Sequence, residues 1–405
     1  MKFRFEVCLS PGYFLSSTAM LRAHRLLILL SAGSLTTMAG GVFAPVLPEV
    51  VKQLHLDPAL AGSLVSIHCL TIALFSAPLG ILADRFGRLR VLVLSLLFYA
   101  LFGVAGAQFS TFWLLLATRA LLGVASGGIA AASMGLLASL YTEPARTQAL
   151  AYATSTLALA GILFPLLGGW VGTMNWHYVF YLYAVGVPLA LLALLILKEK
   201  QSQENKEKGL LFNGSQLAFL FKHYQTLHLL VAISISSAIM YGFLIYVPFY
   251  LKAILASNTF VNGVVLASTA LGAAFVSALG TSRFIQKWGF ETAIAFGFGL
   301  MATMFIAIAQ FSQLIFILPA ALIFGVGFGL VLPSLYAALA NIAPAELRST
   351  VLAAGTGSGF LGQFLSPLFL GPILSFFSFK FIFYAVACVA LATGLLLLLL
   401  DAKNI

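Results

Sequence analysis

Gly80-Ile81-Leu82-Ala83-Asp84-Arg85-Phe86-Gly87-Arg88-Leu89-Arg90 is a charged break in a largely apolar chain. It sets one acid, three arginines and two glycines between two long apolar runs, in a chain with only 8% charged residues. Soluble proteins carry roughly 25% charge, so such a cluster marks a place where a membrane-embedded chain turns in water. Working outward from it, runs of about 20 apolar residues, enough to cross a hydrocarbon core about 30 Å thick, recur twelve times. The first runs from 26 to 48 and the last from 379 to 400. Strand-like alternation is lacking, so the spans are helices and not barrel strands. The predicted fold is all-α and integral to the membrane: twelve transmembrane helices in two pseudo-symmetric six-helix bundles.

Charge placement orients the chain. With the amino terminus inside, seventeen of the Lys and Arg residues fall on the cytoplasmic side and only Lys52, Lys252 and Lys380 on the other. The positive-inside rule therefore puts both termini in the cytoplasm. The net charge of +10 is topology and not a nucleic-acid patch. Cys69 and Cys388 lie in apolar spans and Cys8 in the tail, a pattern of packing and not of disulfides. The basic opening followed by a long apolar run reads as a first span and not a cleaved secretory signal, with Met20 as an alternative start. The predicted organisation is a cytoplasmic tail (1 to 25), a six-helix half (26 to 197), a charged cytoplasmic linker (198 to 223), a second half (224 to 400) and a short tail (401 to 405).

The halves share a register. Gly87 and Gly289, Gly123 and Gly325, Gly127 and Gly329, Arg146 and Arg348, Thr154 and Thr356, Pro165 and Pro367, and Gly169 and Gly371 all stand 202 residues apart. One offset sustained over four segments indicates a duplicated six-helix unit, the plan of a transporter whose halves rock about a midplane site. Asp84 and Arg85 become Gln286 and Lys287 in the second copy, so the acid serves one half only.

These residues resemble the major facilitator superfamily over positions 26 to 400, on the strength of Gly80-x-Leu-Ala-Asp84-Arg85-x-Gly87-Arg88. Tyr141-Thr-Glu-Pro-Ala-Arg146 and its counterpart ending at Arg348 fit the same pattern. Within the superfamily the chain is most similar to the twelve-helix drug:proton antiporters. Arg119-x-x-x-Gly123-x-x-x-Gly127 resembles their fourth-helix motif, and Gly161-Ile-Leu-Phe164-Pro165-Leu-Leu-Gly168-Gly169 their fifth-helix motif, with Phe164 where glycine usually stands. The resemblance implies alternating-access export of small hydrophobic or drug-like compounds with a proton as coupling ion, in an inner (plasma) membrane, by a monomer without cofactor or metal. It also implies a cytoplasmic gate of Gly80, Asp84, Arg85, Gly87, Arg88 and Arg146, closing on the start of the eleventh helix near Ser349.

The residues narrow the mechanism further. Asp84 at a helix carboxyl end meets the unfavourable end of the macrodipole and needs an answering cation. Arg119 is the one charged side chain inside a span, where insertion scales put its cost at about 2.5 to 3.5 kcal/mol. It reads as a cavity or coupling group, with outward snorkelling as the alternative. His68 reads first as a packing histidine and second as a proton carrier. Gly161, Pro165, Gly168 and Gly169 form a small-residue packing face. Substrate candidates are Thr36, Thr37, Tyr241, Tyr246 and Gln363, and the resemblance implies a site lined by the first, fourth, seventh and tenth helices. All eleven acids lie in tails, loops or span ends, which keeps open a facilitator or symporter for a small metabolite. An enzyme is disfavoured: zinc-protease and serine-hydrolase motifs are lacking. Gly357-Ser-Gly359-Phe-Leu-Gly362 has the letters of a dinucleotide fingerprint without the strand it needs.

Overall fold

The computed structural model describes residues 17 to 141, 145 to 197, 223 to 344 and 347 to 401. The expected linker (198 to 222), most of the amino-terminal tail, residues 402 to 405 and residues 142 to 144 of the fourth-to-fifth-span motif lie outside the described residues. Twelve helices are long and apolar enough to cross a membrane. They are α1 (His24–Gln53), α2 (Pro58–Phe86), α3 (Arg88–Gln108), α4 (Phe112–Leu140), α5 (Gln148–Met174) and α6 (Tyr178–Ile196) in the first half. The second half holds α7 (Tyr224–Leu255), α8 (Thr259–Leu279), α9 (Phe290–Gln310), α10 (Leu314–Ile342), α11 (Arg348–Phe376) and α12 (Phe379–Leu399).

Local chemistry sets the ends and breaks. The α-helical part of α1 stops at Gly41 and continues through a 3-10 turn, Ala44–Val46, where Pro45 and then Pro48 lack the N–H a continuous helix would use. Asp57 caps α2 by accepting the Ala59 amide at 2.9 Å, and Asn258 caps α8 by accepting that of Val261 at 2.9 Å. α8 ends at Leu279, and Gly280 leads into a separate short helix, Thr281–Trp288. Gly87 and Gly289, 202 apart, turn the chain from α2 into α3 and into α9 with φ of 105° and 84°. Any other residue would be strained there. The duplication inferred from spacing therefore extends to backbone conformation.

One face of the molecule carries Arg85, Arg88, Arg90, Arg146, Arg283, Lys287 and Arg348; the opposite face carries Glu49, Lys52 and Lys252. Trp113, Trp170 and Trp288 stand exposed near span ends (74%, 54% and 56%), as indoles at a membrane interface do. The halves meet mainly through two crossings, α2 with α11 and α5 with α8. Both rely on small residues: a methyl group at Gly169 would lie 2.6 Å from the Thr259 carbonyl oxygen, and one at Gly62 would lie 2.5 Å from Pro367. Closure is uneven along these crossings. The half of α2 nearer the opposite face buries Ala61, Gly62, Leu64, Val65, Ser66, His68, Cys69 and Ile72, whereas from 73 to 86 only Ala83 is buried. In α8 burial likewise ends at Gly272. The halves are thus packed together toward the opposite face and parted toward the basic face.

Candidate functional site

Toward the middle of the seam, one polar cluster joins the halves. His68 and Cys69 come from α2, Tyr241 from α7 and Gln363 from α11. The Cys69 thiol lies 3.0 Å from the Tyr241 hydroxyl and 3.1 Å from Gln363 Oε1, both as acceptors, and the His68 Nε2 lies 3.4 Å from the same hydroxyl. His68, Cys69 and Tyr241 are buried (2%, 0% and 8% exposed). Gly40 of α1 permits this approach: a methyl there would stand 3.0 Å from the Tyr241 oxygen and 3.2 Å from His68 Cε1. Among the described residues, five buried side-chain polar atoms lack a hydrogen-bond partner, and four of them lie on α2 and α7: Ser66 Oγ, His68 Nδ1, Ser236 Oγ and the Tyr246 hydroxyl. Unpaired buried polar groups are costly and rare, so their concentration on two facing helices marks this seam as the polar interior of the molecule.

His68, Tyr241 and Gln363 were legible as separate candidates; their convergence was not. Cys69 was read as packing, and no local signal distinguishes a thiol that packs from one that bridges. The other substrate candidates lie apart from these contacts. Thr36 turns its hydroxyl to the Gly33 carbonyl at 2.8 Å, Thr37 is half-buried, and Tyr246 is fully buried. The cluster draws on α1, α2, α7 and α11, so the expected lining by the first, fourth, seventh and tenth helices is met only in part.

Arg119 does not snorkel. It is 1% exposed, and its guanidinium donates to the carbonyls of Ala39 (2.5 Å) and Leu64 (3.2 Å) and to the Tyr183 hydroxyl (2.7 Å). The Phe43 ring lies 4.4 Å from the guanidinium carbon, within cation–π range. Tyr183 passes its own proton to Ala39 at 2.9 Å, and Tyr99 donates to Leu35 at 2.8 Å. The cation is stabilised by the carbonyls of α1 and α2, with no carboxylate paired to it among the described residues, and it sits inside the first bundle, not on the surface of the seam. Gly123, one turn later, lets α4 close on the His68 backbone, where a methyl group would come within 2.5 Å of the His68 carbonyl oxygen.

At the basic face, Asp84 lies in the last turn of α2 and is answered by Arg88 at the start of α3. Arg88 Nε and Nη2 each approach Asp84 Oδ1 at 2.8 Å, and Nη1 donates to the Gly135 carbonyl at 2.6 Å. In this conformation the answering cation therefore comes from the next helix. Arg85 and Arg146 are exposed, and Gly80 is half-buried with Ala131 the side chain a methyl there would meet. At the opposite face the halves are tied by an ion pair between Glu49 and Lys252 and by Asn262 Nδ2 donating to the Pro45 carbonyl at 3.0 Å. Thr259 also donates to the Gly169 carbonyl at 2.8 Å. Pro165 and Gly169 are buried at this α5 crossing, Gly168 is buried against Val42 of α1, and Gly161 is half-buried.

The family model for the Major Facilitator Superfamily matches residues 29–367. The chain belongs to the major facilitator superfamily. Relatives include the class B tetracycline resistance protein of Escherichia coli, 25% identical over 74% of this chain and 76% of the relative. Multidrug resistance protein 1 of Bacillus subtilis is 26% identical over 92% of this chain and 95% of its own length. The structure of the nucleoside transporter NupG superposes with a TM-score of 0.80 at 13% identity, covering 92% of this chain and 98% of that one, which shows a shared fold. This superfamily member is a multi-pass membrane transporter with efflux relatives, and not an enzyme.

Proposed function

We propose that the protein exports small, largely hydrophobic or drug-like compounds by alternating access, in exchange for protons. The observation that carries this reading is the asymmetric seam: tied by Glu49–Lys252 and Asn262–Pro45 at one face, parted at the other, with a polar cluster between. With the basic face and both termini in the cytoplasm, as the positive-inside rule requires, the conformation is inward-open and offers the cluster to compounds from the cell interior. The tetracycline and multidrug relatives support the substrate class. The superfamily member would work as a monomer in the inner membrane, without cofactor or metal.

In the outward-open state, Asp84 exchanges Arg88 for the first turn of α11 near Ser349, with Arg85 and Arg146 completing the cytoplasmic gate. The test is reconstitution into liposomes holding a pH-sensitive dye, with ethidium and tetracycline as probes under an imposed proton gradient. Probe-dependent proton movement, abolished by Asp84→Asn, is the expected result. The position of the acids favours one competing reading, a facilitator for a small metabolite. Flux of metabolites that ignores the gradient, with no response to either probe, would establish that alternative.

A further inference from the structure

We infer that His68 is the proton-carrying residue of this transporter, and that the hydrogen-bond link it makes to Tyr241 of the other half is what proton binding reverses. The inference rests on the proton-coupled reading above and assigns it to an atom, His68 Nε2.

In the described conformation Nε2 lies 3.4 Å from the Tyr241 hydroxyl and 3.5 Å from Cys69 Sγ; the Val65 backbone is the acceptor within reach of the ring, although Nδ1 makes no hydrogen bond of good geometry. The thiol of Cys69 has one proton and two acceptors, the Tyr241 oxygen and Gln363 Oε1. The Tyr241 oxygen can accept from Cys69, which leaves its own proton free to donate to Nε2. That arrangement requires Nε2 to be unprotonated, and the ring to be neutral with its proton on Nδ1. The link thus runs as one directed chain, from Cys69 through Tyr241 to His68, across the boundary between the halves.

Binding a proton forms an N–H bond at Nε2 and breaks an O–H bond of the delivering hydronium. The ring then becomes a donor on both nitrogens, and two donors face each other where a donor and an acceptor stood. Tyr241 must turn its proton away or the halves must separate. The surroundings reinforce this. At Gly40 of α1 and Gly123 of α4 the helices approach the ring without a side chain between. Cys69, Tyr241 and Gln363 are neutral hydrogen-bonding groups, and Arg119 is the charged group whose field reaches the ring. An imidazolium in the closed seam therefore has a cation for a neighbour and no carboxylate beside it. When the opposite face opens, water reaches the ring and can deliver the proton; when the seam closes again, the proton leaves to the basic face. One group binding one proton limits coupling through this site to one proton per turnover.

Cargo is not needed for the test. Spin labels at Lys52→Cys and Ala253→Cys, exposed on the opposite face of the two halves, report by pulsed electron resonance how far that face is open. The background carries Cys8→Ser and Cys388→Ser, with buried Cys69 retained, in nanodiscs between pH 5 and 8. The wild type should open toward low pH, its open-to-closed ratio changing by up to about tenfold per pH unit, the limit for one proton. His68→Gln, which keeps a polar side chain, should flatten that slope. Tyr241→Phe serves if His68→Gln fails to fold: it removes the hydroxyl of the link and should also flatten the slope, and the full wild-type slope in that variant would overturn the role given to the link. A His68→Gln protein that opens with the full wild-type slope overturns the inference and leaves proton coupling standing on another group. A wild type without any slope overturns both the inference and the proton-coupled reading.

Discussion

Arg119 lies in the interior of the first half; the residue 202 positions later, Ala321, lies fully buried in the interior of the second. Around Arg119 the helices turn carbonyls and a tyrosine hydroxyl inward. Three residues on from Ala321, Phe324 belongs to a cluster of phenylalanines instead. Phe243 stacks on Phe324 at 4.4 Å, Phe305 meets Phe324 edge-on at 5.1 Å, and Phe383 closes on Phe305 at 5.6 Å. The duplicated unit has kept its helix contacts, its glycine crossings and its two positive-φ turns, while the chemistry of the two interiors has separated. A bundle in lipid is held by close packing more than by hydrophobic exclusion, and either interior satisfies that demand. Among the described residues, only the first interior also holds a buried charge.

The sharpest way to break this comparison is to give the second half the first half's charge. Ala321→Arg would bury a guanidinium among rings with no carbonyl cage, and the expected outcome is loss of folded, monodisperse protein on size-exclusion chromatography in detergent. Normal folding of that variant would mean the second interior is polar enough to host a cation after all. Removing the charge from the first half should do less. Arg119→Met keeps much of the volume but leaves the Ala39 and Leu64 carbonyls and Tyr183 short of a donor, at about 1 to 3 kcal/mol for each group left unpaired. A clearly lower thermal midpoint is expected, with Arg119→Lys intermediate because one ammonium cannot match the guanidinium fork. An Arg119→Met protein as stable as wild type would reduce the cage to packing. The smallest effect is expected at the tie between the halves. Glu49 and Lys252 are about a quarter to a third exposed, and such pairs contribute about 0.2 to 1 kcal/mol. Glu49→Gln should leave stability nearly unchanged and shift the spin-label distances modestly toward an open opposite face. No shift would show that the glycine crossings alone close it.

Much of this was legible before any coordinate. The twelve apolar runs, the 202-residue register and the Asp84 cluster gave the architecture, because spanning length and charge exclusion act locally on each segment. Asp84 at a helix end was visible in the same way, and so was the need for an answering cation. What answered it was less visible: the family pattern pointed to α11, and in this conformation the partner is Arg88, four residues on. Arg119 was correctly singled out as costly, but its solution, carbonyls contributed from 55 and 80 residues away, has no trace in the neighbouring letters.

Twelve membrane crossings by a doubled unit follow from the residue order alone, since hydropathy and repetition are properties of order along the chain. Only the tertiary structure decided that His68, Cys69, Tyr241 and Gln363 form one cluster. Hydrogen bonds between residues 172 and 294 positions apart depend on how helices from two halves meet, and the packing that brings them together is specified by the glycines and prolines of every helix in the seam at once.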